Sequence, residues 1–149
     1  VIRRAGPEDA AAIAAVFRSA RRGCLPRLPE LHAPAEELRF FRDHVLQQCD
    51  VWVALAPHVV GFCAFAGGWL EHLYVDPAWH DRGFGTVLLN LAQRQQRTLQ
   101  LWVFQRNERA IRFYRNHGFQ VVEATDGRRN EEQEPDLRMR WDAEGYAEW

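Results

Sequence analysis

The chain reads as an α+β fold, a single domain over residues 1–149 with a mixed, mostly antiparallel central sheet flanked by about four helices. Three observations predict this. Hydrophobic periodicity switches between the strand and helix repeats in the order β-α-α-β-β-β-α-β-α-β-β, so the two element types are interleaved. Both ends of that order carry strands that read as antiparallel: a hairpin over 51–66, and a half-polar strand over 136–141. Between them, Trp69 to Asn90 reads as strand, tight turn and helix start. A chain of 149 residues is long enough for one domain with a real core and too short for two ordinary ones.

Val1 to Ala5 opens as a strand. Pro7, Glu8 and Asp9 then start a helix with a proline and acids in its first turn, and Ile13, Val16, Phe17 and Ala20 share its inner face. The pattern breaks after Ala20, and Arg21 to Pro29 reads as a proline-punctuated loop. A second helix is expected from Pro34 to Gln47, with Leu38, Phe41 and Val45 inward. Val51–Leu55 and Val59–Ala66 form a hairpin about Pro57-His58. Trp69 to Val75 is aromatic and β-branched enough for a strand, which Asp76-Pro77 ends. Phe84, Val87, Leu88 and Leu91 recur at helical spacing. Leu99 to Phe104 is a strand, and Asn107 caps a helix that Gly118 stops. Phe119–Ala124 and Asp136–Trp141 complete the sheet around a polar loop at 125–135.

Net charge is −1, which argues against a nucleic-acid or membrane surface acting through charge. No run approaches membrane length and no signal-peptide pattern opens the chain, so a cytoplasmic protein is expected. The chain begins at Val1 without methionine, which suggests that a residue or more precedes it. Cys24, Cys49 and Cys63 are odd in number and widely spaced, giving neither a disulfide framework nor a zinc site, and no metal is expected. All 19 basic side chains are arginine, so the protein cannot acetylate itself on a lysine side chain.

The chemistry centres on Arg82-Gly83-Phe84-Gly85. Two glycines at a helix mouth let a ligand approach the backbone, and the unpaired N–H groups of the first turn make an anion site. A dinucleotide fingerprint would need a third glycine where Leu88 stands, and a P-loop needs a lysine. What fits is Val-x-Pro followed by Gln/Arg-x-x-Gly-x-Gly/Ala, here Val75-Asp76-Pro77 and then His80-Asp81-Arg82-Gly83-Phe84-Gly85. Asn107 to Phe119 fits a second pattern, Asn-x-x-Ala-x-x-x-Tyr-x-x-x-Gly-Phe, at each named position. Together the two stretches resemble motifs A and B of the GNAT superfamily of N-acetyltransferases, of an uncharacterised bacterial type.

The resemblance covers nearly the whole chain. It implies the GNAT fold, in which the strands at about 69–75 and 99–104 splay apart and the helix-loop-helix after the first strand roofs the acceptor site. It implies acetyl-coenzyme A as cosubstrate, with Val75, Arg82, Gly83, Phe84, Gly85, Thr86 and Asn107 holding its pyrophosphate and pantetheine arm. A backbone N–H near Val75 would meet charge developing on the carbonyl oxygen, a donor worth about 2.7–4 kcal/mol. Two positions depart from the pattern: His80 replaces glutamine or arginine, and Asp81 stands where glycine is common.

Catalysis by direct attack requires a free amine. Freeing the lone pair of an amine of pKa about 10.4 at pH 7 costs roughly 4–5 kcal/mol. Glu71 is the expected general base, through a pKa raised by desolvation; His72 is its competitor, and a structural carboxylate is the alternative. Tyr114 falls on the motif tyrosine that stands near the sulfur in relatives, where a phenol can protonate the leaving thiolate; its alternative is a core aromatic beside Phe113. The expected acceptor is a primary amine on a small molecule or peptide. Glu131, Glu132, Glu134 and Asp136 favour a cationic acceptor, whereas Arg21, Arg22 and Arg27 favour one with a carboxylate or phosphate. A weak or inactive acyl-coenzyme A sensing module is the alternative function. Aromatics in the tail from Trp141 to Trp149 leave a homodimer open.

Overall fold

The computed structural model describes residues 1–145. The expected element order is present, with the strands at 2–4, 50–55, 59–66, 69–75, 98–104, 136–142 and 120–124 hydrogen-bonded in that order across the sheet. The pair at 69–75 and 98–104 runs parallel and the four other pairs described run antiparallel, so the sheet is mixed and mostly antiparallel. The chain packs as two compact units. One comprises residues 1–66 and 70–92, and the other residues 67–69 together with those from 93 onward.

In the first unit, β1 (Ile2–Arg4), β2 (Asp50–Leu55), β3 (Val59–Ala66) and most of β4 (Trp69–Val75) carry α1 (Ala10–Cys24) and the helical stretch from Pro34 to Gln48. A 3-10 turn, Pro7–Asp9, leads into α1. Ile13, Val16 and Phe17 of α1 pack with Phe41 and Val45 on Val51, Val53, Phe62 and Ala64 of the sheet. Phe41 is fully buried, its ring 5.2 Å from Phe17 and 5.5 Å from Phe62 in edge-on contacts. Burying one such aromatic stabilises the fold by about 1.5–3 kcal/mol.

Three expectations shift here. α1 continues through Arg21–Cys24, where a loop was expected. In that last turn Gly23 lies close to the Pro77 ring, where an added Cβ would stand 2.5 Å from Pro77 Cγ. The second helix is α2 (Pro34–Phe40), a π turn over Phe41–Val45, and α3 (Leu46–Gln48). A π turn accommodates one extra residue in the helix, which the 3.6-residue repeat does not reveal. In α4 (Phe84–Gln95), Val87 is 45% exposed, and the buried face is Leu88, Leu89, Leu91 and Ala92.

The second unit holds β5 (Thr98–Phe104), α5 (Glu108–Asn116), β6 (Gln120–Ala124) and β7 (Asp136–Asp142). The β5–β7 ladder is antiparallel from Thr98↔Asp142 to Phe104↔Asp136. Trp69, the first residue of β4, pairs with Gln100, the one parallel pair recorded between β4 and β5. Leu99, Leu101, Val103 and Met139 are buried. The polar loop at 125–135 is tightly organised. Asp136, 8% exposed, accepts from Thr125 Oγ1 and from Asn130 Nδ2, and Asn130 exchanges two further bonds with the Glu134 backbone. Gly127, at φ +84°, packs where a Cβ would lie 2.3 Å from the Glu134 carbonyl carbon. Of the tail aromatics, Trp141 belongs to β7, while Tyr146 and Trp149 lie outside the described residues.

The start of the chain is latched by Asp9, 6% exposed, which accepts from both terminal nitrogens of the Arg3 guanidinium at 2.8 and 2.9 Å and from the Gly6 N–H at 2.9 Å. The Arg3 bonds above all hold its pKa below the ordinary 3.8. A carboxyl that is more acidic folded than unfolded contributes stability in full above the unfolded value, and that contribution fades as pH falls through the folded one. Asp9→Asn is therefore expected to lower stability at pH 7 and to flatten the fall in stability below about pH 4, as read by urea unfolding across pH.

Candidate active site

The expected cosubstrate residues Val75, Arg82, Gly83, Phe84, Gly85 and Thr86 come together in the first unit, at the mouth of α4. Val87 N–H bonds to Gly83 O at 3.0 Å, so the N–H groups of Phe84, Gly85 and Thr86 precede the first recorded i→i−4 bond of the helix. Asp81 and Gly83 both take left-handed backbone, at φ 63° and 86°. Those two reversals explain why glycine is common where Asp81 stands. An added Cβ at Gly83 would meet nothing within 4 Å, so the glycine is required by its conformation and not by crowding. The Arg82 guanidinium lies over the Trp79 ring at 4.7 Å. A dipole end, free amides and an arginine form a donor set that fits a diphosphate.

Glu71 and His72 stand side by side on β4 in different surroundings. Glu71 is exposed, so the desolvation supposed from the sequence is not supplied. The Cys49 thiol has its pKa raised by burial first, then by the charges of Glu71 and Asp50. His72 is ringed by Phe41 at 5.3 Å, Phe40 at 5.9 Å, Tyr74 at 6.1 Å, Phe17 at 6.2 Å and Phe62 at 6.3 Å. Its Nδ1 is buried without a hydrogen-bond partner, and burial pushes its pKa down to about 4. The ring is thus neutral at pH 7 and a weak base.

In the second unit, Asn107 caps α5 by accepting the Ala110 N–H on Oδ1 at 3.2 Å, which leaves its amide nitrogen as the donor for a ligand. Tyr114 is 9% exposed and stands between Phe113 and Phe119, with ring centroids 5.4 Å from each. Among the described residues no group of three or more His, Cys, Asp or Glu could hold a metal ion, and no helix is long and apolar enough to cross a membrane.

The charges weighed as acceptor cues are largely engaged locally. Arg22 pairs with Glu30 at 3.0 Å, Glu134 with Arg106 at 2.9 Å, and Arg21 lies over the Phe17 ring at 5.4 Å. Of two neighbours of the α4 mouth, Trp79 was missed from the sequence, and His80 was marked there only as a departure from the family pattern. Trp79 stacks with Arg82, Phe84 and His58 and had no motif to mark it. His80 bonds the Val75 carbonyl through Nε2 at 3.0 Å, and its departure from the family pattern was the available signal.

Two measurements check this geometry. Between about pH 6.5 and 4 the unfolded chain protonates His72 and the native fold does not, so stability falls as pH drops through that window, by up to about 3 kcal/mol. His72→Phe should flatten the decline, read by urea unfolding at pH 7, 5.5 and 4.5. For the loop, Asp81→Gly should stabilise by about 0.5–1 kcal/mol and Gly83→Ala destabilise by about 1–2 kcal/mol, since each changes the cost of left-handed backbone.

A family model described as "Acetyltransferase (GNAT) domain" matches residues 47–121. The chain is 29% identical over 142 residues to the peptidyl-lysine N-acetyltransferase YiaC of Escherichia coli K12, covering 85% of this chain and 96% of that one. It is 33% identical over 79 residues to the peptidyl-lysine N-acetyltransferase YjaB of the same strain, covering 52% and 54%. Among solved structures, apo YjaB from Escherichia coli superposes with a TM-score of 0.78 at 25% identity, covering 95% of this chain and 96% of that one. The PaiA N-acetyltransferase of Thermoplasma acidophilum, solved with coenzyme A, has the same fold at a TM-score of 0.76 and 21% identity, covering 95% and 98%. The matched domain runs from the approach to β2 into β6 and takes in both motif helices: the chain belongs to the GNAT family of acetyltransferases.

Proposed function

We propose that this protein transfers the acetyl group of acetyl-coenzyme A to a primary amine, and that the amine is a lysine side chain of a peptide or protein. The observation that carries the acceptor class is the likeness to YiaC, named a peptidyl-lysine acetyltransferase, across nearly that protein's whole length. The observation that carries the cosubstrate is the α4 entrance, where left-handed Gly83 and unpaired first-turn amides suit a diphosphate.

Acetyl-coenzyme A supplies an activated acetyl thioester. The amides from Gly83 to Thr86 and the Arg82 guanidinium bind its phosphates, and the Asn107 amide nitrogen bonds the pantetheine arm. A Val75 backbone N–H stabilises charge on the carbonyl oxygen. Glu71, exposed on β4, takes the ammonium proton directly or through water. Tyr114 gives its phenolic proton to the departing sulfur.

Thiol release from acetyl-coenzyme A tests the reading with lysine peptides, peptides bearing only an N-terminal amine, and small amines. Lysine peptides are expected to turn over fastest. Tyr114→Phe should lower kcat at least tenfold with folding intact, and Glu71→Gln by about 10²–10⁴-fold with a shift in the pH profile. Tight coenzyme A binding without turnover of any acceptor would replace the enzyme reading with that of a sensing module.

A further inference from the structure

The side chain at position 80 is bonded back to the strand it follows. His80 Nε2 lies 3.0 Å from Val75 O, and because a carbonyl only accepts, Nε2 carries the proton. The chain between these residues is a short, heavily tied turn. Asp76 N–H bonds to Val60 O at 2.8 Å, Ala78 N–H to the Asp76 carboxylate at 3.0 Å, Trp79 N–H to Asp76 O at 2.8 Å, and His80 N–H to Pro77 O at 3.3 Å. Within three residues after this turn, Asp81 and Gly83 both take left-handed backbone. Backbone of that kind persists where the surroundings over-determine it, and here the entry is anchored immediately upstream.

We propose that His80 is a positioning residue for the cosubstrate loop: its Nε2–H pins the Val75 carbonyl, fixing the end of β4 against the turn that aims the α4 amides. This rests on the acetyl-coenzyme A reading above. The position departs from the glutamine or arginine of the family pattern, and its ring nitrogen is committed to the strand. The same N–H cannot also donate to a phosphate, so His80 acts through Val75 and the loop and not through the cosubstrate's phosphates.

The test uses His80→Ala and His80→Gln, whose amide N–H can replace the donor, against acetyl-coenzyme A and against acetyl-pantetheine, which lacks the diphosphate. His80→Ala should raise KM for acetyl-coenzyme A about fivefold or more with kcat changed less than twofold, and His80→Gln should recover most of the loss. With acetyl-pantetheine the effect should fall below twofold, because the loosened group is the turn that aims the α4 amides and acetyl-pantetheine carries no phosphate for them to hold. A loss of affinity that His80→Gln does not recover points to direct phosphate contact by the imidazole and overturns the proposal, as does an alanine variant that behaves like wild type. Amide hydrogen exchange over residues 76–83, faster in His80→Ala and restored in His80→Gln, reads the pin without turnover. Unchanged exchange there overturns it even if the wild type binds no coenzyme A, an outcome that by itself would count against the cosubstrate reading alone.

Discussion

The close seating of α4 on the strands is the constraint on which the geometry of the Arg82–Gly85 loop depends. Gly61 makes it possible: an added Cβ there would stand 3.1 Å from Tyr74 O, 3.2 Å from Val75 Cγ2 and 3.3 Å from Leu88 Cδ1. Cys63 follows with its thiol 3.8 Å from Leu88 O and its pKa pushed up to about 12 by burial, so it acts as a small apolar residue. Leu88, which meets Gly61 and Cys63, and the buried Leu89 and Ala92 fix the helix, and with it the place where its dipole emerges. A larger side chain at Gly61 would disturb the α4 mouth through this packing.

On the other face of the same strands lies an aromatic cluster that does different work. Phe17, Phe41, Phe62, His72 and Tyr74 meet mostly edge-on, and the cluster excludes water well enough to keep a histidine neutral. Adjacent residues of β4 therefore differ sharply: a neutral imidazole within apolar walls, and an exposed carboxylate. Strand alternation supplies that contrast, since consecutive side chains leave opposite faces. Proton transfer to Glu71 would be kept distinct from His72 by environment, although both residue types are candidate bases.

Much of this was legible in the residue pattern, because it rests on local rules. The β4 strand from Trp69 to Val75, the Asn107 cap, and the inward Phe41 and Val45 lie where periodicity and capping put them. What was not legible depends on partners distant in sequence. α1 runs on through Gly23, which lies against Pro77, 54 positions away. Val87 fits the helical stripe by spacing, but the face of α4 that reaches the sheet is rotated toward Leu89 and Ala92. The loop at 125–135 reads as solvated and acidic, yet two of its acids are spent internally: Asp126 pairs with Arg128 at 3.1 Å, and Glu134 with Arg106.

The same distinction explains why the cosubstrate side of the reaction is easier to read than the acceptor side. An anion held by first-turn amides needs a helix start and left-handed backbone, and glycines announce both. Side-chain identity is secondary there, so Asp81 can occupy a left-handed position with its own carboxylate, and His80 can be turned to the strand, while the donors remain. An acceptor is chosen by side chains projecting from several elements, each with alternatives for its charge. Arg21 shows the difficulty: as a sequence cue it calls for an anionic acceptor, but in the fold its guanidinium lies on Phe17, where cation–π attraction already accounts for its place. A charge with a local explanation carries little information about a ligand, and that is why the acceptor class has to be inferred from likeness to a relative whereas the phosphate loop is inferred from its own backbone.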